Sequence, residues 1–535
     1  MLSTRQWWGA CALLCGFCVF AGVVGMRQIP LDSHEIFVAQ TTHEMSLRGN
    51  WVVPYFNGEP RLNKPPLSYW AAGVVAGLAG DLPVVSAWHV RGVSLLAGLG
   101  LLLCTLVLGT VVCERTTALV AGGMLVSSAG FFSFLHDARP DMLYAMWVAV
   151  MLSALAWRTF RPARQGGSRW FALGVLWVAF AAATLTKGPH LPGLALLGSA
   201  LYLRQLHGHW RAVNQTLQPL LGLAIVGLLC GPWWWALSAQ LDAARVESSQ
   251  LGGTLLTPVL SRLGDPFYFY RPLQLVLPWL PYVLLAAGLV STQASVRTRM
   301  GFLLYPLMVV CLGLSFGHQY RFFYVLPLLG VITLLIAAPL VAAIKLSVVP
   351  NWLLQLTALA QFVALLACML WVVRHAVAVW PGVLACLLTG VLCAALAAWR
   401  LQCSRALRVI AALTLMMTFV WPAAALTGAL WDFERYGSHH QAALAQSALA
   451  RDTPLVTVGV SPTVFVYYSA RAVPEVSLAA LAPLLRASTT GALGVVTREQ
   501  HLGALTAQYS FEILDRYRRG DQDDVLLVLQ EKRTP

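Results

Sequence analysis

The chain has 535 residues, of which 58% are hydrophobic and only 11% charged, and its formal net charge is +14. Soluble domains are about a quarter charged, so a chain this apolar is excluded as an ordinary soluble globular protein. Nor does the basic excess point to nucleic acid, because the Lys and Arg residues sit in short segments between long apolar runs, as in chains oriented in a bilayer by cytoplasmic positive charge. All eleven cysteines lie in or at the ends of apolar runs, Cys11, Cys15 and Cys18 in the first of them, with neither a disulfide framework nor zinc spacing.

Taken in chain order, runs matching the thickness of a bilayer core fall at 7–27, 90–112, 118–135, 142–157, 170–186, 189–203, 217–240, 273–291, 300–316, 323–343, 352–373, 380–400 and 409–430. The first lacks a small-residue cleavage site and reads as a retained span rather than a signal peptide. With the N-terminus in the cytoplasm, strict alternation places Arg115, then Arg158, Arg161, Arg164 and Arg169, then Arg204 and Arg211, Arg297 and Arg299, Lys345, and finally Arg400, Arg405 and Arg408 in inside loops nearly free of acid. A shift by one span destroys that agreement. The expected architecture is a mainly α membrane protein of about 13 transmembrane helices. Its segments 28–89, 136–141, 187–190, 241–272, 317–322, 374–379 and the tail then lie outside. Two domains are expected, a transmembrane region 1–430 carrying an external loop 28–89, and a soluble domain 431–535.

The loop 28–89 opens with Asp32-Ser33-His34-Glu35, which starts a helix, turns at Asn57-Gly58, and starts a second helix at Lys64-Pro65-Pro66. Both helices are expected to lie along the membrane surface. Asp32 and Glu35 also have the spacing of a capping box, with Asp32 as N-cap. In the tail, short apolar runs at Leu455–Val460, Val464–Tyr468, Gly494–Thr497 and Val525–Leu529, with helical spacing over Ser477–Arg486, read as a small α/β domain.

Ionisable residues at a membrane boundary are functional candidates. Three further external sites carry them: His136-Asp137-Ala138-Arg139-Pro140-Asp141-Met142, Leu185-Thr186-Lys187-Gly188-Pro189, and Gly317-His318-Gln319-Tyr320-Arg321-Phe322-Phe323-Tyr324-Val325-Leu326-Pro327. A polar turn that keeps the hairpin wet is the alternative reading of the first, and snorkelling explains an isolated lysine. Yet Lys64, Arg139, Lys187 and Arg321 all break the positive-inside pattern, so each needs an anionic partner. Carboxylates at 32, 35, 137 and 141 qualify, and so does a lipid phosphate.

These motifs resemble the GT-C membrane glycosyltransferases, most nearly the lipid A aminoarabinose transferases and more distantly the protein O-mannosyltransferases. The resemblance rests on Glu35, Glu44-Met45, Gly49, Trp51, Pro54, Asn57-Gly58, Lys64-Pro65-Pro66 and Tyr69-Trp70. It continues at Ala138-Arg139, Asp141-Met142, Thr186-Lys187-Gly188, Pro232-Trp233-Trp234 and Arg321–Pro327. It covers about residues 1–430 with the motifs in the family's order. It implies a GT-C-like bundle and transfer of a sugar from a polyprenyl-phosphate donor to an envelope acceptor (lipid A, another glycolipid or protein), by direct inverting displacement on the external face of a bacterial inner membrane. Glu35, Asp141 and Asp32 would then be catalytic, and Lys64, Lys187, Arg321 and Arg139 would bind the donor phosphate. Counting back from Lys64, the family's first loop Asp falls on His34, with Asp32 two residues earlier. The metal-binding Glu common before the lysine is Asn63, and a family His is replaced at Gly264-Asp265, so the usual metal ligands are absent and none is assigned, with use of a divalent metal left open. The rival classes are a polyprenyl-lipid flippase or transporter and a non-catalytic envelope-assembly protein. A transporter predicts polar residues at mid-membrane and repeated halves, whereas here the ionisable residues gather at one face.

Overall fold

The computed structural model describes residues 3–24, 26–27, 29–161, 166–241, 266–289, 294–317, 320–346, 350–375, 380–400, 405–431, 433–519 and 522–531. Arg164, His318-Gln319, Gly264-Asp265 and most of the expected external segments 241–272 and 374–379 lie outside the described residues.

Every expected span contains helix. In order these are α1 (Thr4–Val23), α4 (Ala87–Val112), α5 (Arg115–Val126) with α6 (Ala129–Leu135), α7 (Pro140–Phe160), α8 (Gly166–Lys187), α9 (His190–His207) and α11 (Pro219–Gln240), the last preceded by α10 (Trp210–Leu217). Helices Leu280–Leu289, Ala294–Leu314, Leu329–Lys345, Asn351–His375, Trp380–Arg400 and Arg405–Trp431 follow. Among the described residues, seven helices are long and apolar enough to cross a membrane, or eight if α5 and α6 are one broken span. The chain is a multi-pass membrane protein.

The spans expected at 118–135, 273–291 and 323–343 are not continuous α-helices. The first breaks at Ser127-Ser128 with a bend of 60°. In hydrocarbon the backbone groups freed by such a break need protein partners, and they have them. Trp421 Nε1 donates to the Ser127 carbonyl at 2.8 Å. Trp279 Nε1 donates to Ser127 Oγ at 3.0 Å, and Ala129 N–H donates to the Leu277 carbonyl at 2.8 Å. The other two begin as 3₁₀ turns, Arg271–Val276 and Phe322–Leu328, each containing a proline that lacks an N–H.

The chain forms two compact units. The first comprises Met1–Met26, Leu62–Ala71 and Arg91–Thr427. Here α7 packs on α8, α9 on Ala294–Leu314, and α5 on Leu329–Lys345. The α9 contact needs a small residue, because a Cβ at Gly198 would lie 2.6 Å from both the Tyr305 carbonyl oxygen and Pro306 Cα. Without a hydrophobic drive between helices in lipid, such close backbone approach supplies the association.

The second unit comprises Arg27–Arg61, Ala72–Val90 and Gly428–Pro535. The segment 28–89, read from the sequence as an extension of the 1–430 region, is therefore divided, with 62–71 in the first unit and the rest grouped with the tail. It contains α2 (Ser33–Leu47), a hairpin of β1 (Tyr55–Phe56) and β2 (Glu59–Pro60), and α3 (Leu67–Ala79). Asn57 and Gly58 connect the hairpin at φ 56° and 86°, the left-handed pair that a tight two-residue turn demands. The tail forms a four-stranded sheet in the order β3-β4-β6-β5, from β3 (Leu455–Val458), β4 (Ala492–Arg498), β5 (Tyr509–Arg519) and β6 (Gln522–Glu531). β3 runs parallel to β4, the other pairs are antiparallel, and Val495 stands opposite Leu527. Of the four apolar runs expected in the tail, Val464–Tyr468 forms part of a helix, Thr463–Tyr468, started by Pro462 and burying Phe465 and Val466, and the other three contribute to strands. β5 was not foreseen, because charged residues interrupt its apolar alternation.

Gly198→Leu should disrupt the α9 contact, costing about 1–3 kcal/mol by overpacking. Thermal unfolding in detergent checks this, and an unchanged midpoint would show that the helices do not approach as described.

Candidate active site

Helices α7 and α8 run antiparallel. Arg158 near the end of α7 donates to the Arg169 carbonyl near the start of α8 at 2.8 Å. At their other ends, Asp141 in the first turn of α7 meets Lys187 in the last turn of α8. Lys187 Nζ lies 2.5 Å from Asp141 Oδ1, with the two side chains 10% and 8% exposed. Each charge sits where its own helix dipole favours it, the carboxylate at an N-terminus and the ammonium at a C-terminus. Pro140 starts α7 at a position where its missing N–H is harmless. Gly188, at φ +110°, ends α8, and its carbonyl accepts the Tyr144 hydroxyl at 2.9 Å.

Lys64, Arg139 and Arg321, the other candidate cations of this unit, lie near the pair. Lys187 and Lys64 both act electrostatically on the His190 ring, and the Tyr144 and His190 rings are 6.2 Å apart. Asp141 and Arg321 both act on the Tyr324 phenol. The Lys187 ammonium lies 4.6 Å from the Tyr324 ring centroid and 5.6 Å from that of Phe323, within cation–π range. Arg139 caps α7, with its Nε 2.7 Å from Asp137 Oδ2 and its guanidinium 5.9 Å from the same Phe323 ring. The Arg321 backbone N–H donates to the Tyr268 hydroxyl at 3.2 Å. Tyr268 also lines a cavity of about 900 Å³, with Tyr202 and Leu304 among its walls.

Lys64, Arg139, Asp141, Lys187 and Arg321 thus share one neighbourhood. Asp32 and Glu35 belong to the other unit, where they form the reciprocal capping box of α2. Asp32 Oδ1 accepts the His34 and Glu35 N–H groups at 2.7 and 2.9 Å, and Glu35 Oε2 accepts the Asp32 N–H at 2.9 Å. Glu35 is buried and His34 exposed. Sequence reasoning did not single out Tyr144 or His190, and gave Phe323 and Tyr324 only as part of the Arg321–Pro327 motif, with no role of their own. Their one signal was adjacency, His190 beside the Lys187-Gly188-Pro189 corner and the aromatic pair just after Arg321.

The metal that the family resemblance brings in does not fit this donor set. Among the described residues no group of three or more His, Cys, Asp or Glu side chains converges, and residue 63 offers only an amide.

No protein-family model matches the sequence. The chain is 28% identical over 256 residues to an uncharacterized protein of Aquifex aeolicus, covering 46% of this chain and 47% of that one. It is 27% identical over 331 residues to the undecaprenyl phosphate-alpha-4-amino-4-deoxy-L-arabinose arabinosyl transferase 2 of Pseudomonas fluorescens, covering 59% and 58%. To the corresponding transferase of Pseudomonas aeruginosa it is 29% identical over 378 residues, covering 64% and 61%. The chain thus spans about half to three-fifths of the length of the curated relatives it matches. Crystal structures of ArnT from Cupriavidus metallidurans, apo and bound to undecaprenyl phosphate, align over 98% of both chains at 18% identity, with TM-scores of 0.76 and 0.75. The chain has this GT-C-like fold.

Lys187→Met leaves a buried carboxylate without its cation and should destabilise the protein by about 3 kcal/mol. Adding Asp141→Asn should restore part of that loss. Strictly additive losses in a double-mutant cycle of unfolding midpoints would show that the pair is uncoupled.

Proposed function

We propose that the protein transfers a sugar from a polyprenyl-phosphate donor to an envelope acceptor, such as lipid A, another glycolipid or a protein. The observation that carries this reading is the buried Asp141–Lys187 pair, sharing its neighbourhood with Lys64 and Arg321. The relatives' printed names, which specify an undecaprenyl-phosphate sugar, support the donor class. The cavity of about 900 Å³ beside Tyr268 suits an isoprenoid chain whose phosphate lies toward Arg321.

In a single displacement, the acceptor hydroxyl oxygen bonds to the anomeric carbon as the bond to the phosphate oxygen breaks, and the configuration inverts. The departing phosphate gains negative charge in the transition state. Lys64, Lys187 and Arg321 stabilise that charge, the kind of fixed electrostatic assistance that contributes most to many enzymes. Arg139, engaged through Nε by Asp137, adds its terminal nitrogens. Asp141 takes the acceptor's proton, acting as general base, while its contact with Lys187 holds the ammonium in place. Glu35 is carried by resemblance as a further catalytic carboxylate, with Asp32 as its capping partner.

The proposed setting is a bacterial inner membrane, with the site and the tail domain facing the periplasm. Its support is the concentration of Arg and Lys in the alternate loops.

Lys64→Ala and Asp141→Asn, assayed in membranes with labelled polyprenyl-phosphate sugar, should each reduce transfer at least a hundredfold, the scale of losing one transition-state charge contact. Wild-type turnover in both would remove the site assignment. Movement of the labelled lipid across the bilayer without a new product would replace the enzyme by a flippase.

A further inference from the structure

Two conspicuous features of the chain have no part in the transfer chemistry proposed above: the Glu44 and Asn57-Gly58 motifs, and the tail domain. Hydrogen bonds within the second unit join them. The buried Glu44 carboxylate accepts the N–H groups of Asn57 and Gly58 at 2.6 and 3.0 Å, and the Gln40 side-chain amide at 3.0 Å. This fixes the hairpin turn. The Asn57 side chain then pairs with the Val473 backbone in both directions, Nδ2 donating to the carbonyl and Oδ1 accepting the N–H, each at 2.9 Å. A side-chain amide here imitates one rung of a β-ladder.

A second grip lies at the start of α2. The Leu31 N–H donates to the Tyr468 hydroxyl at 2.8 Å, and His439 Nε2 donates to the Leu31 carbonyl at 2.8 Å. Leu31 is fully buried, and the His439 and Tyr468 rings meet edge to face at 4.7 Å. Helix α2 packs on Thr463–Tyr468, which in turn packs on Phe433–Ala448, the helix carrying His439. Both backbone polar groups of the residue preceding Asp32 are therefore held by side chains of the tail. The peptide that leads into the Asp32–Glu35 capping box has its orientation set from outside the helix as well as from within it.

We infer that the tail domain positions the Asp32–Glu35 carboxylates, with Tyr468 and His439 as positioning residues acting through the Leu31 backbone. Docking alone needs only apolar contact. A grip on both polar groups of one backbone unit instead fixes a direction, and the groups whose direction it fixes are the carboxylates next in sequence. This inference rests on the glycosyl-transfer reading for its catalytic consequence, but the grip itself is testable without substrate.

Full-length protein in nanodiscs is compared by hydrogen exchange and by transfer assay. Tyr468→Phe removes one hydroxyl and His439→Leu removes the ring donor, whereas His439→Gln keeps a donor. The first two should speed amide exchange over residues 31–35 and lower kcat about 5- to 10-fold each, the scale of one hydrogen bond, with donor KM unchanged. His439→Gln should restore most of kcat. Unchanged exchange and kcat in both Tyr468→Phe and His439→Leu overturn the inference, as does a fall in expression-corrected kcat that His439→Gln does not relieve. Should the variants fail to accumulate, the wild type decides. Leu31 must then exchange as slowly as 463–469, and faster exchange by orders of magnitude refutes the grip. Absence of transfer by the wild type would remove the proposed function while leaving the exchange result intact.

Discussion

An ammonium and a carboxylate buried against each other at 2.5 Å are stable only if the scaffold holds both in register, because either one alone in a low-dielectric site is heavily penalised. Two antiparallel helices meet that requirement here. α7 begins with Asp141 and α8 ends with Lys187, so the backbone dipoles favour both charges before the pair forms. The rest of the first unit's candidate site is arranged around this contact. Tyr144, one turn further along α7, secures the Gly188 carbonyl, and the 3₁₀ turn Phe322–Leu328 brings Phe323 and Tyr324 over the ammonium.

Irregular backbone is concentrated at the candidate site. A helix interior offers no unoccupied hydrogen-bonding groups and turns its side chains steadily around an axis. The Lys187-Gly188-Pro189 corner and the 3₁₀ start at Phe322 instead allow several cations and aromatics to approach one place. The break at Ser127-Ser128 follows the same economy, since Trp279 and Trp421 take up backbone and side-chain groups that the broken helix releases. Indole donors are suited to this, being apolar over most of their surface with one N–H to place.

Much of this was legible in the sequence. Apolar runs of bilayer length are an averaged signal over many residues, and every expected span proved to contain helix. The Asn57-Gly58 turn and the Asp32–Glu35 capping box are set by chemistry within a few residues, so short motifs revealed both. The breaks were not legible, because Ser127-Ser128 is tolerated only through tryptophans about 150 and 290 residues away in the chain. Val464–Tyr468 has the β-branched and aromatic composition of a strand, yet burial of Phe465 and Val466 in a helix overrides that preference. β5 escaped notice because a strand at a sheet edge carries charges that break the apolar alternation.

The sequence by itself determined that the chain spans a membrane, which stretches carry its membrane helices, and which Lys and Arg groups stand outside the positive-inside pattern. Those properties depend on composition and local spacing, which the solvent reads directly. Only the tertiary structure decided which distant groups become partners: Asp141 with Lys187, and the Leu31 backbone with Tyr468 and His439. The reason is distance. Hydrogen bonds and ion pairs act over about 3 Å, and residues 46 or 437 positions apart in the chain reach that range only through packing.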